Sequence, residues 1–168
     1  ARGRSQEPSR AVPVWLTAAL AIFWGGGLVA ESPFVRVRGL SGDAELAARF
    51  DDWTPVPLAG WCAEHGVSGN VFNPMEWGSL LAWRVPEAKL FVDIRIWIFP
   101  DDVWNEYIDV SHATPGWEDA LDRRHCGWAI LDRRFHDALI PAMEKSARWE
   151  KVYEDGKGVV FRRRAAAP

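Results

Sequence analysis

Cysteine is scarce in this chain of 168 residues, which contains only Cys62 and Cys126. The two form no Cys-x-x-Cys pair and none of the spacings that a structural zinc site needs. A disulfide between them requires their Cα atoms to approach within about 7 Å, which the sequence alone does not decide. Two buried free thiols are the favoured interpretation, and a disulfide is the alternative.

The chain also lacks an excess of charge of either sign. It carries 20 Lys and Arg against 23 Asp and Glu, a formal net charge of -3. Domains that bind nucleic acid show a clustered excess of basic residues. The only basic runs here are at the N-terminus and at residues 162–164. The composition therefore predicts no nucleic-acid partner.

Signatures of catalysis and of metal binding are missing as well. No glycine-rich loop follows a strand in the form that holds phosphate, Gly-x-Ser-x-Gly is absent, and Ser79 has no identifiable base. The histidines lack zinc spacing, so each is assigned to the surface or to a satisfied core position. They are His65, His112, His125 and His136. Asp101 and Asp102 are interpreted as a helix-capping pair. We expect no catalytic residue, no cofactor and no metal site.

Tryptophan, in contrast, is abundant, with eleven residues from Trp15 to Trp149. Its side chain offers a large apolar area and one N–H donor, which favours cores, interfaces and membrane boundaries. A Trp-rich core is the simplest interpretation, and an interaction surface is the alternative.

Residues 11–30, AVPVWLTAALAIFWGGGLVA, contain no charge. As a helix they would extend about 30 Å, the hydrocarbon thickness of a bilayer. Trp15 and Trp24 then lie toward the two interfaces, and Gly25, Gly26 and Gly27 allow a neighbouring helix to approach closely. The run predicts a transmembrane helix, with these five residues as interface and anchor candidates. It has no ionisable group, so it anchors or packs.

A cleavable signal peptide is the competing interpretation, since Arg2, Arg4 and Arg10 form a basic start. Leu28 is too large for a cut after Ala30, and a chain that begins at Ala1 is either processed or part of something longer. The basic start favours a cytoplasmic N-terminus. We therefore expect a single-pass protein of the cell inner membrane, with its C-terminal domain in the periplasm.

The organisation expected is a basic cytoplasmic start (1–10), the transmembrane helix (11–30), a linker (31–52), a periplasmic α/β domain (53–164) and a tail (165–168). Helical periodicity or start signals occur at 54–65, 74–85, 103–113, 114–125 and 135–147, the last interrupted by Pro141. Strand patterns occur at 70–72, 89–99 and 127–133, and 149–164 is a hairpin that turns at Asp155 and Gly156. This alternation predicts an α/β fold with a mixed sheet, helices on both faces and a C-terminal β-hairpin.

One long stretch carries a family resemblance. GNVFNPMEWGSLLAWRVPEAKLFVDIR, residues 69–95, is followed by DDVWNEYIDV, PGWEDALDRRHCGWAILDR and WEKVYEDGKGVVFRRR. Their order resembles the C-terminal extracytoplasmic domain, with the last transmembrane helix, of bacterial polytopic membrane proteins related to GT-C class glycosyltransferases. The resemblance covers about residues 50–164 and the anchor.

The family pattern reads approximately Asn-Asp-Tyr-x-Trp-Gly-Gly-Tyr-Leu and then Asp-Gly-Arg-x-Asp. The chain retains Asn73, Trp77, Gly78, Leu81, Asp93 and Arg95. It departs from the pattern at Pro74, Met75, Leu80, Ile94 and Trp97. The resemblance also implies catalysis by an acidic residue in an early membrane-proximal loop, which this chain does not contain. Polar contacts have been exchanged for apolar ones, which we expect to pack.

Two functions follow as hypotheses. The first is a non-enzymatic, membrane-anchored subunit that packs in and stabilises a larger integral-membrane complex, such as a bacterial respiratory assembly or a photosynthetic reaction centre with its light-harvesting ring. Its partners are the lipid bilayer and other transmembrane subunits. The alternative is the C-terminal periplasmic domain of a GT-C-like glycosyltransferase that acts on a lipid-linked sugar. In either, Trp77, Gly78, Asp93 and Arg95 form a structural frame, with Asp93 and Arg95 two apart on a strand and able to form an ion pair.

Overall fold

One mixed sheet organises the chain in the computed structural model, which describes residues 47–48 and 50–165. Its strands are β1 (Gly69–Phe72), β2 (Ala88–Leu90), β3 (Trp128–Asp132), β4 (Trp149–Glu154) and β5 (Gly158–Arg163). They lie in the order β2-β1-β3-β5-β4. β1 is parallel to both β2 and β3, whereas β5 is antiparallel to β3 and β4. The predicted α/β class, mixed sheet and C-terminal hairpin are confirmed.

Helices cover both faces of this sheet. They are α1 (Val56–Glu64), α2 (Gly78–Arg84), α3 (Asp101–Ser111), α4 (Trp117–Arg123) and α5 (Leu139–Lys145), with 3-10 turns at Met75–Trp77 and Ile96–Ile98. One apolar cluster joins α1 and α2 to Val71 and Ile130 of the sheet. The other joins α3, α4 and α5 to Phe72 and Leu131. Successive strand residues thus alternate between two cores, as the two-residue period of a strand requires.

Cys62 and Cys126 belong to different cores. Cys62 packs in the cluster beneath α1, and Cys126 packs in the cluster on the other face. Both are buried and free. Because the sheet separates the two clusters, the favoured interpretation of two buried thiols is confirmed.

The strand expected at 89–99 is shorter than predicted. Only Ala88–Leu90 pairs with β1, and the last backbone bond to β1 is donated by the N–H of Phe91 to Val71 O at 3.0 Å. Side chains then capture the backbone: Asn73 Oδ1 accepts the N–H of Phe91 at 2.9 Å, and Asp93 Oδ1 accepts that of Arg95 at 2.9 Å. The chain continues as irregular structure and a 3-10 turn.

Two smaller expectations are also corrected. Pro141 is the third residue of α5 and does not interrupt it, because no intrahelical N–H bond is required in the first turn. Asp101 and Asp102 lie inside the first turn of α3 and make no side-chain capping bond. Their charge favours a helix N-terminus through the macrodipole instead.

The expected Trp-rich core is found in part among the described residues. Trp77 and Trp149 are buried, and Trp61, Trp117 and Trp128 are partly buried against the two apolar clusters. Trp53, Trp83 and Trp97 are exposed. Tryptophan therefore contributes to both cores and also to the surface.

The predicted transmembrane helix at 11–30, with Trp15, Trp24, Gly25, Gly26 and Gly27, lies outside the described residues. Between residues 47 and 165, leaving aside residue 49, no helix has the length and apolar character needed to cross a bilayer. The described residues fall within a compact unit that runs from Asp43 to Pro168.

Candidate functional site at the carboxyl edge of the sheet

β1 is the central strand of the three parallel ones. From β1 the chain first crosses to β2 on one side and later to β3 on the other. Ligands of open α/β sheets bind outside the carboxyl ends of the strands at such a reversal. The residues that follow the three strands, 73–77, 91–98 and 132–136, together with 51–54, are called the carboxyl edge below.

Two Asp-x-Arg pairs close the ends of β2 and β3. Arg95 donates its backbone N–H to Asp93 Oδ1 at 2.9 Å, and its guanidinium donates to both carboxylate oxygens at 2.5–3.1 Å. Asp132 and Arg134 repeat this arrangement, with a backbone bond of 2.8 Å and guanidinium bonds of 2.6–3.2 Å. Each Asp therefore turns the backbone and binds its own arginine.

These hydrogen bonds also fix the charge of the pairs. The Arg95 guanidinium lowers the pKa of Asp93, and the Asp93 carboxylate raises that of Arg95. Asp132 raises the pKa of Arg134 in the same way. Sequence reasoning found the first pair and missed the second. A shared signal was present, because both follow an apolar run, in FVDIR and ILDRR.

Asn73 and Gly78 hold the end of β1 against the Asp93 turn. The fully buried Asn73 donates to the carbonyls of Val92 and Pro74 at 2.9 and 3.0 Å. A Cβ on Gly78 would lie 2.7 Å from the Cβ of Asp93 and 2.9 Å from its Cα. Only glycine allows α2 to begin this close to the turn.

Trp77 completes the frame from the other side of the edge. It is buried, and its ring lies so close to Gly158 that a Cβ there would meet Trp77 Cη2 at 2.9 Å. Asn73, Gly78 and Asp93 thus pack around one another at the Asp93 turn, while Trp77 packs against Gly158 of β5. Trp83, in contrast, is exposed on the last turn of α2.

A buried polar group lies beneath the carboxyl edge. His136 is fully buried, accepts the backbone N–H of Asp132 on Nδ1 at 3.2 Å, and places Nε2 3.5 Å from Ser111 Oγ. Burial lowers its pKa to about 4, so the imidazole is neutral at pH 7. Tyr107 accepts the N–H of Met75 at 3.1 Å, and burial raises its pKa. His136 is a satisfied core histidine, whereas His65, His112 and His125 lie at the surface.

An apolar loop, residues 94–98, projects from the carboxyl edge. Trp97 is 82 % exposed, and Ile94, Ile96 and Ile98 are 51–52 % exposed. The loop is held from behind by Trp104, whose Nε1 donates to Ile96 O at 3.1 Å. Ile94 and Trp97 are two of the apolar departures from the family pattern. Both face solvent, so the packing expected of them is not made within the described residues.

A cleft of about 270 Å³ opens beside β3 and is lined in part by Trp53, Glu76, Arg134 and Phe135. The Arg134 guanidinium lies over the Trp53 ring, 4.1 Å from its centroid, and 5.0 Å from that of Phe135. Cation–π contacts of this kind stabilise the rings where they are half in water. The cleft is thus walled by aromatic rings around an arginine that is already paired.

The segment 51–54 is fastened to this cleft. Asp51 Oδ1 accepts the backbone N–H of Trp53 at 3.1 Å and that of Thr54 at 2.9 Å. Lys157 Nζ donates to Thr54 O at 2.8 Å. The Lys157 bond and the Trp53–Arg134 stack are called the N-terminal clamp below. The expected linker, which ended at 52, therefore includes residues that belong to the domain.

The described residues bring together no group of three or more His, Cys, Asp or Glu side chains that could hold a metal ion. Ser79 is exposed near the start of α2. Comparisons of the chain with protein-family models, with curated proteins and with solved structures found no match. The family resemblance of residues 69–95 therefore stays a prediction.

Proposed function

We propose that the chain is a non-enzymatic, membrane-anchored subunit that packs in and stabilises a larger integral-membrane complex. The observation that carries this proposal is the apolar loop, which presents four large apolar side chains to solvent at the edge where related folds bind ligands.

The charged groups of the carboxyl edge support a structural role. A general base must be able to take up a proton near the working pH. The pKa of Asp93 is lowered by Arg95, and both of its oxygens accept guanidinium bonds. His136 is buried and packs edge-on against Phe72, with ring centroids 5.8 Å apart. These groups hold the backbone in place, and their hydrogen bonds are already made.

Because the apolar loop is exposed, a neighbouring molecule that shields it from water would stabilise the assembly. Full burial of an Ile or comparable side chain contributes about 1.5–3 kcal/mol. Contiguous apolar patches on soluble monomers commonly mark interaction sites. A membrane complex offers this loop an apolar environment, as protein or as lipid.

The proposal is tested on the full chain in its native membrane. Mild-detergent extraction followed by native electrophoresis and mass measurement should place the 18.9-kDa chain in a heavier assembly of fixed stoichiometry. Depletion of the chain should lower the yield of the intact assembly. A chain that is always monomeric, with unchanged yields of all other complexes, would refute the proposal.

A second candidate is the C-terminal domain of a GT-C-like glycosyltransferase. It is favoured by the cleft, where the rings of Trp53 and Phe135 and the carboxylate of Glu76 offer contacts for a sugar. This candidate requires an open reading frame that continues far upstream of Ala1 and encodes many more hydrophobic spans. A start codon immediately before Ala1 would eliminate it.

A further inference from the structure

We propose that the carboxyl edge rests on the bilayer surface, with the apolar loop inserted among zwitterionic lipid headgroups. This inference rests on the proposed function, because it takes the chain to be membrane-anchored. It adds which face of the domain meets the membrane and the chemistry of the lipid that it meets.

The shape of the apolar loop fits insertion. Trp97 stands at its apex, and Ile96 and Ile98 flank it within one 3-10 turn. Trp104 fixes the turn through its bond to Ile96 O and through an edge-on contact with Phe99, with centroids 5.9 Å apart. The apolar side chains are therefore presented without an ordering cost at contact. Tryptophan and aliphatic residues in this arrangement favour the headgroup boundary.

The same edge collects most of the exposed apolar surface of the described residues. Beyond the loop it carries Trp53 and Phe135, which are 58 and 51 % exposed. Phe50, Trp83 and Ile108 are the other exposed large apolar side chains. Trp83 lies on the last turn of α2, at the end of that helix farther from the carboxyl edge. Arg95 and Arg134 stand among the side chains of the edge, and an arginine stem can cover apolar surface while its head group stays in water.

The chain that precedes the domain joins it at the same edge. The N-terminal clamp holds residues 51–54 at the carboxyl edge, so the polypeptide from the predicted span reaches the domain there. About twenty residues separate Ala30 from Asp51, and even fully extended they reach at most about 70 Å. A chain of this length lets the carboxyl edge reach the bilayer that the predicted span crosses.

The charged groups of the carboxyl edge determine which lipid headgroups it contacts. Arg95 and Arg134 are already paired with Asp93 and Asp132, and Arg133 with Glu154. Five further carboxylates are exposed beside the apolar surface. They belong to Asp51, Asp52, Glu76, Asp101 and Asp102. The edge thus offers no surplus positive charge to anionic lipids, whose attraction for proteins requires clusters of Lys and Arg. Contact through apolar burial with zwitterionic headgroups remains, and such contact depends little on salt.

The test uses the full chain in phosphatidylcholine nanodiscs. A Trp97→Cys variant carries an environment-sensitive fluorophore on its new thiol, and a Trp83→Cys variant is the matched control. Cys62 and Cys126 are buried with pKa values raised to about 12, so neither competes for the label. Lipids with a nitroxide near the headgroup should quench the label at position 97 roughly threefold more than at position 83. Phosphatidylglycerol or added salt should change this ratio little.

A second variant guards against an effect of the label. Adding Ile96→Asp to Trp97→Cys should lower the quenching at position 97 toward that of the control, while circular dichroism shows an unchanged fold. Equal quenching at positions 97 and 83 would overturn the proposal, as would protection of position 97 only after partner subunits are added. If the Trp97→Cys chain without the Ile96→Asp change assembles but shows no preferential quenching at position 97, this inference alone is refuted. Quenching without any larger assembly refutes the proposed function alone.

Discussion

The fold buries the imidazole of His136 completely and accommodates it only in its neutral form. Its two nitrogens face the Asp132 N–H and Ser111 Oγ, and the ring packs against Phe72. Neither partner is an anion that would compensate a positive charge in the core, so protonation is opposed by desolvation.

The free energy of unfolding should therefore fall with acid in a defined window. The folded pKa of His136, about 4, lies below its ordinary 6.5, so the unfolded state binds the proton first as the pH drops. Stability should be fully present above pH 6.5 and decline by about 3 kcal/mol on reaching pH 4. Urea titrations across this range measure it. Asp93, with its pKa lowered, contributes to stability changes only at more acid pH.

His136→Gln should flatten this dependence, whatever it does to the absolute stability. His125→Gln is the matched control, since it leaves the buried imidazole in place and should keep the wild-type slope. A steep decline between pH 6.5 and 4 that persists in His136→Gln would assign the effect to another group.

Gly78→Ala should destabilise the domain, although alanine is the better helix former by about 1 kcal/mol. The new Cβ meets the Cβ and Cα of Asp93 at 2.7 and 2.9 Å, and a turn fixed by four hydrogen bonds has little room to move. We expect a net loss of about 1–3 kcal/mol, measured by urea unfolding. Gly127→Ala, with no atom within 4 Å of its Cβ, is the control and should stay near wild type. Equal free energies of unfolding for Gly78→Ala and Gly127→Ala would show that the Asp93 turn shifts to accommodate the new Cβ.

At this scale the sequence predicted one Asp-x-Arg pair because a resemblance drew attention to it. The second, Asp132 and Arg134, has the same local pattern and was available from the residues alone. Gly78 was named as part of the frame, but its reason is a contact with Asp93, fifteen residues away in the chain. Such a contact depends on tertiary geometry, which spacing does not encode.

Among the elements, the hairpin β4–β5 and the helices were predictable because their signals are local. Asp155 and Gly156 form the expected turn, in which the Asp155 carboxylate accepts the N–H groups of Lys157 and Gly158 at 2.8 Å. The structure of residues 89–99 was not predictable in this way. Their β-branched composition favours a strand, whereas pairing depends on how far the neighbouring strand extends. β1 ends early, and the apolar residues beyond it become a loop.

Trp104→Phe tests whether the apolar loop is held as an element. The replacement keeps an aromatic ring beside Phe99 but removes the donor to Ile96 O. We expect a loss of about 0.5–1.5 kcal/mol and faster hydrogen exchange at the Ile98 N–H, which bonds to Arg95 O at 3.0 Å. Trp97→Phe is the matched control, because the Trp97 side chain is largely exposed. Equal exchange in both variants would mean that the loop is ordered without this bond.

On the scale of the whole molecule, the sheet divides the domain into two apolar layers. The α/β class followed from the alternation of strand and helix patterns. The order β2-β1-β3-β5-β4 did not, because alternation does not say on which side of β1 the third strand is added. The exposure of Trp53, Trp83 and Trp97 also escaped prediction, since a residue type states a preference for burial and the fold decides it.

The reactivity of the two cysteine thiols reports on the opening of both apolar layers. Cys62 and Cys126 lie in different cores, and burial raises the pKa of each to about 12. We expect neither to react appreciably with a disulfide reagent at pH 8 in the native state, and both to react with one rate in urea as the layers open together. Rapid native reaction of one thiol would reveal that its layer opens independently.

The N-terminal clamp has a mechanical consequence. Lys157 holds Thr54 across 103 positions of sequence, and Trp53 stacks on Arg134 just ahead of α1. Force applied through the preceding chain is therefore received by the β4–β5 turn and the end of β3 before it reaches the first turn of α1. The load therefore enters the sheet before it reaches α1, which is shielded from unwinding one turn at a time.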